Sequence, residues 1–390
     1  MLNPLILNNE VQTYLRENLS KDVHSLSLQK SPFAGIKSAE LAEQIKGMKI
    51  AKSKFPFLFE TDGMYYPPSL NLEQASSQAT SEYKSKLVKG KTLIDFTAGL
   101  GIDAFGFAQE FEEVTALEQS SNLVEICQHN YKTMGQTNLN YLNISFETYL
   151  KENSTQNWDV IYLDPARRKN AQKKFLLEDL EPNVLEWMDE FLKRAETVVI
   201  KLSPLMDVHK IIDQIPQTQE IHLVAVKNEV KELVLIGRNQ SNVNPLISAV
   251  NLETNHPEFQ FHFEDEKNTT VNFSSIKTYL YEPNTALLKS GAFKLIATTF
   301  GLNKLEVNTH LYTSDELNNG FPGKIYEVIE ELKEVKKSIR NQSFHVISKN
   351  YPLSVANIRK KYKLKESESQ SLVFTRSIDG LLHLLCKRIY

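Results

Sequence analysis

Three carboxylates and one glycine-bearing turn are the groups in this chain best suited to chemistry. Asp95 ends the apolar run Leu93-Ile94-Asp95-Phe96, and Thr97-Ala98-Gly99-Leu100-Gly101 follows before a helical pattern begins at Ile102. Gly99 and Gly101 lack Cβ, so backbone can approach a ligand closely there. The run Gly99-Leu100-Gly101-Ile102-Asp103-Ala104 fits G-x-G-x-x-G/A, and Glu118 lies 19 residues after Gly99, at the end of the next apolar run. A strand, a tight turn, a helix N-terminus and an acid for ribose hydroxyls describe the grip on a nucleotide-like cofactor.

Taken alone, that motif describes a nicotinamide dinucleotide site equally well. Asp95 tilts the choice towards S-adenosylmethionine, because a carboxylate at the end of the first strand meets that cofactor's cationic end and repels a pyrophosphate. Asp159-Val160-Ile161-Tyr162-Leu163-Asp164-Pro165-Ala166-Arg167-Arg168 adds a second acid, Asp164, at the C-terminal rim of a fourth strand. Ligands of open α/β sheets bind at that rim.

These groups need a sheet to hold them. From Lys91 to about Arg238, short apolar runs alternate with helical patterns, the signature of a doubly wound α/β domain. The runs predict strands at Thr92–Phe96, Val114–Leu117, Leu142–Phe146, Val160–Leu163, Val198–Lys201, Ile221–Val226 and Leu233–Ile236. Only Lys227–Glu232 separates the last two, too short for a parallel crossover, so an antiparallel hairpin is expected, unlike the dinucleotide strand pattern.

Residues 1–70 read as a helical N-terminal subdomain, with Ser38 as an N-cap and Leu41, Ile45 and Met48 at helical spacing. Residues 71–240 hold the sheet. Residues 241–322 form a linking α+β region that contains the compact cluster Tyr279-Leu280-Tyr281-Glu282-Pro283. Residues 323–390 read as a small α+β module: strands Lys324–Val328 and Phe344–Ser348, a helix Leu353–Tyr362, and a strand pair about Asp379-Gly380.

A chain of 390 residues exceeds one ordinary core, and its 41% hydrophobic and 24% charged content is that of a globular protein in water. No apolar run reaches the roughly 18 residues that span a bilayer, so a cytoplasmic location without an anchor is expected. Cys127 and Cys386 are far apart and lack metal-ligand spacing, which predicts neither a disulfide framework nor a metal site. The net charge of −3 is unevenly spread: residues 331–390 hold 13 Lys+Arg against 5 Asp+Glu, a local +8 on a body of −11. Such segregation fits a polyanion-binding surface.

DFTAGLG at 95–101, the acid of TALE at 115–118 and DPAR at 164–167 together resemble the motifs of class I S-adenosylmethionine-dependent methyltransferases, over about residues 72–238. More narrowly, LEQASSQATSEYK at 72–84, DPARR, IKLSPLMD at 200–207 and YLYEP at 279–283 look like a bacterial group of such enzymes with a ferredoxin-like and a THUMP-like C-terminal region. The resemblance implies an α/β fold, a seven-stranded Rossmann-like methyltransferase sheet with a helical N-terminal region and small α+β C-terminal modules. It also implies residue roles. Asp95, Gly99 and Gly101, with Thr97 in the same turn, would hold the aminopropyl-carboxylate part of S-adenosylmethionine; Glu118 would hold its ribose, and Phe146 with Glu147 its adenine. Asp164 would face the methyl-transfer centre.

The acceptor side departs from several patterns. Amino-group methyltransferases of nucleic acids carry Asp/Asn-Pro-Pro and an aromatic that stacks on a flipped base, where this chain has Ala166 and Arg167. Pyrimidine C5 transfer needs a cysteine nucleophile, and neither Cys127 nor Cys386 is expected near the rim. Asp164 after the fourth strand, Lys201 at the end of the fifth and Glu232 just before the seventh resemble, in order and strand position, three members of the Lys-Asp-Lys-Glu set of FtsJ-type ribose 2′-O-methyltransferases. Lys84 and Lys86 lie closer to the first strand than that set's remaining lysine, and a structural Lys201–Glu232 ion pair is the alternative.

Arg167 and Arg168 suit phosphate contact, with Lys169, Lys173 and Lys174 extending the charge. Arg359, Lys360 and Lys361 cluster with Lys363 and Lys365 beside Tyr351 and Tyr362. Because THUMP modules bind RNA, the resemblance makes transfer or ribosomal RNA the implied partner. Three readings follow: an RNA methyltransferase, an NAD-dependent oxidoreductase, and a non-catalytic RNA-binding protein on a methyltransferase fold.

Overall fold

The structure, a computed structural model, describes residues 2–168, 176–241 and 244–389. Lys169, Lys173 and Lys174 lie outside the described residues. The chain divides into two compact units, residues 1–219 with 234–242, and residues 220–233 with 243–390.

In the first unit, helices α1 (Ser38–Lys54), α2 (Ser69–Gln74) and α3 (Gln78–Ser85) precede the sheet. Ser38 is the first residue of α1, not its cap: Glu40 reaches back to accept the Lys37 N–H at 2.8 Å, which makes Lys37 the cap and starts the helix one residue earlier. Then come β1 (Thr92–Asp95), α4 (Ile102–Phe107), β2 (Glu113–Leu117), α5 (Ser121–Thr133), β3 (Leu139–Leu142), α6 (Phe146–Glu152), β4 (Trp158–Leu163), α7 (Val184–Arg194) and β5 (Ala195–Leu202). The five strands are parallel, in the order β5-β4-β1-β2-β3. The chain therefore winds outwards from β1 in one direction and from β4 in the other, which opens a crevice where β1 and β4 end.

Burial explains why these strands read clearly. Leu93, Ile94, Val114, Ala116, Val160, Ile161, Val198 and Val199 are all buried, as parallel strands covered on both faces require. Phe96 anchors the layer beneath, with ring centroids 5.8 Å from Phe146, 6.0 Å from Trp158 and 5.4 Å from Phe191.

The third strand departs from expectation. It spans Leu139–Leu142, and the predicted strand end at Phe146 is the first turn of α6. Ser145 accepts the Thr148 N–H at 3.2 Å and caps that helix, so the alternation of Leu142, Ile144 and Phe146 crosses a strand end instead of running along a strand.

The expected hairpin is formed by β6 (Thr218–Val226) and β7 (Glu229–Arg238), and the unit boundary falls within it. Its turn is only Lys227-Asn228, both left-handed at φ 49° and 66°, the geometry that two-residue hairpins favour. In the second unit β8 (Leu246–Leu252) pairs parallel with β6, and β9 (Phe259–His262) pairs antiparallel with β8. Among the described residues this sheet thus has nine strands, not seven.

Residues 279–388 build a separate seven-stranded sheet. Its strands are β10 (Tyr279–Pro283), β11 (Asn303–Glu306), β12 (Thr309–Ser314), β13 (Gly323–Glu331), β14 (His345–Ser348), β15 (Ser371–Ser377) and β16 (Gly380–Arg388), in the order β11-β12-β10-β13-β16-β15-β14. Helices Thr285–Ser290, Phe293–Thr299 and Val355–Tyr362 accompany it. One core, including Leu280, Leu311, Tyr326, Val373 and Leu384, runs under the sheet. Among the described residues no helix is long and apolar enough to cross a membrane.

Candidate functional site

The turn between β1 and α4 carries two left-handed glycines, Gly99 at φ 54° and Gly101 at φ 75°. They serve different ends. A Cβ on Gly99 would find nothing nearer than the Thr97 carbonyl at 3.9 Å, whereas one on Gly101 would stand 2.6 Å from the Tyr141 hydroxyl and 3.1 Å from Tyr131. Gly101 is therefore required by packing, and Gly99 leaves an open face. Tyr141 donates its hydroxyl to the Gly99 carbonyl and Tyr131 to that of Leu100, both at 2.7 Å. These tyrosines, on β3 and α5, hold the turn from behind; their types and positions carried no local signal in the sequence.

Cys127 packs under this turn, its Sγ 3.4 Å from the Leu100 carbonyl, and is not among the cavity's lining residues. It is fully buried, and that burial pushes the thiol up to about 12, so it is packing and not a nucleophile.

Thr97 ties the two strand ends together. Its N–H donates to Asp95 Oδ1 at 2.9 Å, and its hydroxyl accepts the Asp164 N–H at 2.6 Å. Asp95 is buried beneath the turn; burial, then the negative charges of Asp103 and Asp164, raise its carboxyl well above the ordinary range. Asp103, on the first turn of α4, is equally buried but goes the other way. Burial pushes it up, yet Lys84, then Lys201, Ser76 and Tyr162, together hold it below the ordinary range. Lys84 Nζ is 3.2 Å from Asp103 Oδ1, while Ser76 and Tyr162 each donate to Oδ2 at 2.7 Å. Lys84 is thus the buried partner of Asp103, and Lys86 is exposed.

At the other side of the crevice, Asp164 follows β4 and Lys201 lies near the end of β5. Lys201 Nζ is 2.5 Å from Asp164 Oδ2, with the two side chains 15% and 37% exposed. Glu232 is buried in β7, in the residues of the second unit.

Between these walls lies a cavity of about 290 Å³ lined by Thr97 to Asp103, Glu118, Asp164 and Ala166, and closed on one side by Asn71, Gln74, Ala75 and Ser76. The last group belongs to the stretch 72–84 and its approach, noted in the sequence only for its likeness to known methyltransferases. Among the described residues, three carboxylates, those of Asp103, Glu118 and Asp164, line the cavity, and no Lys, Arg or His does. That lining would repel a pyrophosphate and suits a ligand carrying sulfonium and ammonium charges, while the Cβ-free face of Gly99 admits it closely. The residues present fit S-adenosylmethionine and disfavour a dinucleotide.

The predicted residues are placed as follows. Glu118, at the end of β2, is half-buried and accepts the Ser120 N–H at 2.6 Å, which fixes one carboxylate oxygen. Asp95 and Phe146 are not among the cavity's lining residues; Phe146 is packed in the aromatic layer, and Glu147 is exposed beside it. Arg167 and Arg168 are exposed directly after the Asp164 rim, where Ala166–Arg167 pairs antiparallel with Leu180–Glu181. In the second unit, the Arg359 guanidinium pairs with Glu366, and Lys360 and Lys361 are exposed on the helix Val355–Tyr362. Among the described residues no cluster of His, Cys, Asp or Glu is placed to hold a metal ion.

Residues 77–220 match a family described as conserved hypothetical protein 95, residues 279–322 a ferredoxin-like domain, and residues 323–388 a THUMP domain-like region. A crystal structure of a protein from Porphyromonas gingivalis W83, described as a putative methyltransferase, superposes with a TM-score of 0.88 at 29% identity and 100% coverage of both chains. An uncharacterised S-adenosylmethionine-dependent methyltransferase of Mycobacterium tuberculosis H37Rv is 18% identical over 319 residues, 80% of this chain and 84% of that protein. With the crevice at the β1–β4 switch point and its acid-lined cavity, these matches make the chain an S-adenosylmethionine-dependent methyltransferase similar to these proteins, with ferredoxin-like and THUMP-like matches in its C-terminal residues.

Proposed function

We propose that this enzyme methylates RNA, transfer or ribosomal, at an atom brought to the Asp164 rim, and that residues 323–390 hold the substrate. The THUMP-like match over residues 323–388 carries the RNA reading, because modules of that kind bind RNA and the last sixty residues hold 13 Lys+Arg against 5 Asp+Glu. Lys360 and Lys361 are the exposed cations of its helix, and Arg167 with Arg168 supply a second set beside the rim. Such contacts position a phosphate backbone without reading its sequence.

When bound, S-adenosylmethionine supplies an electrophilic methyl group on a sulfonium. The chain's own part is alignment. Thr97 fixes the Asp164 backbone, and the Lys201 ammonium fixes its carboxylate, so that this hydrogen-bond acceptor is held against the cavity it lines. A carboxylate so held accepts a hydrogen bond from the N–H or O–H of the incoming nucleotide and orients its lone pair towards the methyl carbon. Lys201 acts through Asp164, as a positioning residue.

The test is incubation of the full chain with labelled S-adenosylmethionine and RNA from a strain lacking the gene, followed by nucleoside mass spectrometry. One newly methylated nucleoside is expected, and Asp164→Ala should abolish it. The RNA reading fails if no methylated nucleoside forms while S-adenosylhomocysteine binding is demonstrated.

A further inference from the structure

The second unit contains a cavity of about 300 Å³ that the methyl-transfer chemistry does not use. Its walls are the Lys227-Asn228 turn, Thr254 and His256 after β8, the Glu282-Pro283-Asn284 end of the YLYEP strand, Gly323-Lys324 at the start of β13, and Arg388 at the end of β16. Gly323 lets two of these walls meet: a Cβ there would stand 2.1 Å from the Glu282 carbonyl and 2.9 Å from Pro283 Cα.

The polar groups around this cavity are arranged to donate. Asn228 uses its Oδ1 to accept the Thr285 N–H at 2.9 Å, and Asn284 its Oδ1 to accept the Leu287 N–H at 3.0 Å, so each amide keeps its NH₂ as the remaining function. Asn251 accepts the Asn228 N–H through Oδ1, which turns its Nδ2 towards His256 Nδ1 at 3.2 Å. An NH₂ only donates, so His256 Nδ1 is the acceptor and its proton sits on Nε2. Burial, then Arg388, holds this imidazole below its ordinary value and therefore neutral at pH 7. Lys324 Nζ is 3.8 Å from Glu282 Oε2, too far for a hydrogen bond.

Glu282 is the one acid among the described lining residues, and its carboxylate is engaged: Oε1 is 3.0 Å from Lys349 Nζ, and Oε2 accepts the Tyr326 hydroxyl at 3.2 Å. The wall thus offers an ammonium, an imidazole N–H and two amide NH₂ groups from separate segments, with its acceptor capacity used internally. Donors converging from several directions under a positive charge match an anion with several acceptor oxygens. The volume exceeds that of a bare ion and leaves room for the group that bears it.

We propose that this cavity binds a phosphate group, either on a small phosphate ester or at an RNA terminus. The YLYEP cluster then has a role: its glutamate neutralises Lys349 and ties Tyr326, and its 3.8 Å ion pair with Lys324, beyond hydrogen-bond reach, leaves that ammonium's N–H groups for the ligand. The proposal does not rest on the methyl-transfer reading, since S-adenosylhomocysteine affinity reports on that site separately.

The full chain should be titrated calorimetrically with inorganic phosphate, with a 5′-phosphorylated RNA oligonucleotide and with the same oligonucleotide lacking the phosphate. Saturable phosphate binding is expected, about tenfold weaker in Lys324→Ala. Asn228→Asp keeps the acceptor for Thr285 but adds negative charge, and should abolish it. Unchanged melting temperature and S-adenosylhomocysteine affinity serve as the folding control for both variants. Competition with phosphate by the phosphorylated oligonucleotide alone supports an RNA terminus, and competition by neither oligonucleotide supports a small phosphate ester. Absence of saturable phosphate binding, or binding that neither substitution weakens, overturns the proposal.

Discussion

The Thr97 hydroxyl accepts the backbone N–H of Asp164 at 2.6 Å, across 67 residues of sequence, and so locks the ends of the first and fourth strands at the point where the cavity opens. Thr97→Val keeps the shape and removes the acceptor. It should cost about 1 kcal/mol of stability and weaken S-adenosylhomocysteine several-fold, with Thr97→Ser retaining both; calorimetry measures the affinities and thermal melts the stability.

The two turn glycines should separate stability from binding. Gly101→Ala meets Tyr141 at a left-handed φ and is expected to destabilise by about 3 kcal/mol in denaturant titration. Gly99→Ala incurs only the backbone strain, about 1–2 kcal/mol, but its methyl group projects into open space at the cavity, so cofactor affinity should fall by more than stability alone explains.

Asp95 and Asp103 should respond oppositely to neutralisation. The folded-state carboxyl of Asp95 is raised, so the folded chain holds a proton that the unfolded chain releases, and stability declines as pH rises through that window. Asp95→Asn should therefore melt above wild type at pH 8, with the gap closing below about pH 4. Asp103 is lowered by Lys84, and its contribution is present above the ordinary carboxylate range and lost as pH falls. Asp103→Asn strands the buried Lys84 charge and should lose about 3–5 kcal/mol near neutral pH.

Lys201→Ala should lower turnover on an identified RNA while leaving S-adenosylhomocysteine affinity within twofold of wild type, because Lys201 touches Asp164 and does not line the cavity. Lys201→Arg restores a cation to the same carboxylate and should recover part of the rate. Equal losses in affinity and rate would instead mark the pair as structural.

Replacing Lys360 and Lys361 together by Ala should weaken RNA binding and reduce the slope of log K against log salt by about 1–2. Arg359→Ala should change the slope less, because that guanidinium is paired with Glu366. Fluorescence anisotropy over a salt series measures both.

Several parts of this picture were legible in the residues. Strands β1, β2, β4 and β5 stand close to where their apolar runs predict them, because a strand buried on both faces must be continuously apolar. The same reasoning placed Asp164 and Lys201 at strand ends, and parallel strands that end together bring such residues to one rim, as the 2.5 Å contact shows. The third strand was misplaced because a period of two over Leu142, Ile144 and Phe146 cannot distinguish a strand from a strand end followed by a capped helix.

By itself, then, the sequence determined the parallel sheet, the glycine turn and the acids that surround it, since burial period and missing Cβ atoms are local properties. Tertiary structure alone decided where those acids sit and what they pair with. Asp95 was expected at the ligand and is sealed beneath the turn by Thr97; Asp103 carried no assigned role and lines the cavity with Lys84 behind it. Tyr131, Tyr141 and the wall from Asn71 to Ser76 arrive from other segments of the chain. A carboxylate's ionisation and reach depend on which distant side chains pack against it, and that is a property of the folded contacts, not of any stretch of sequence.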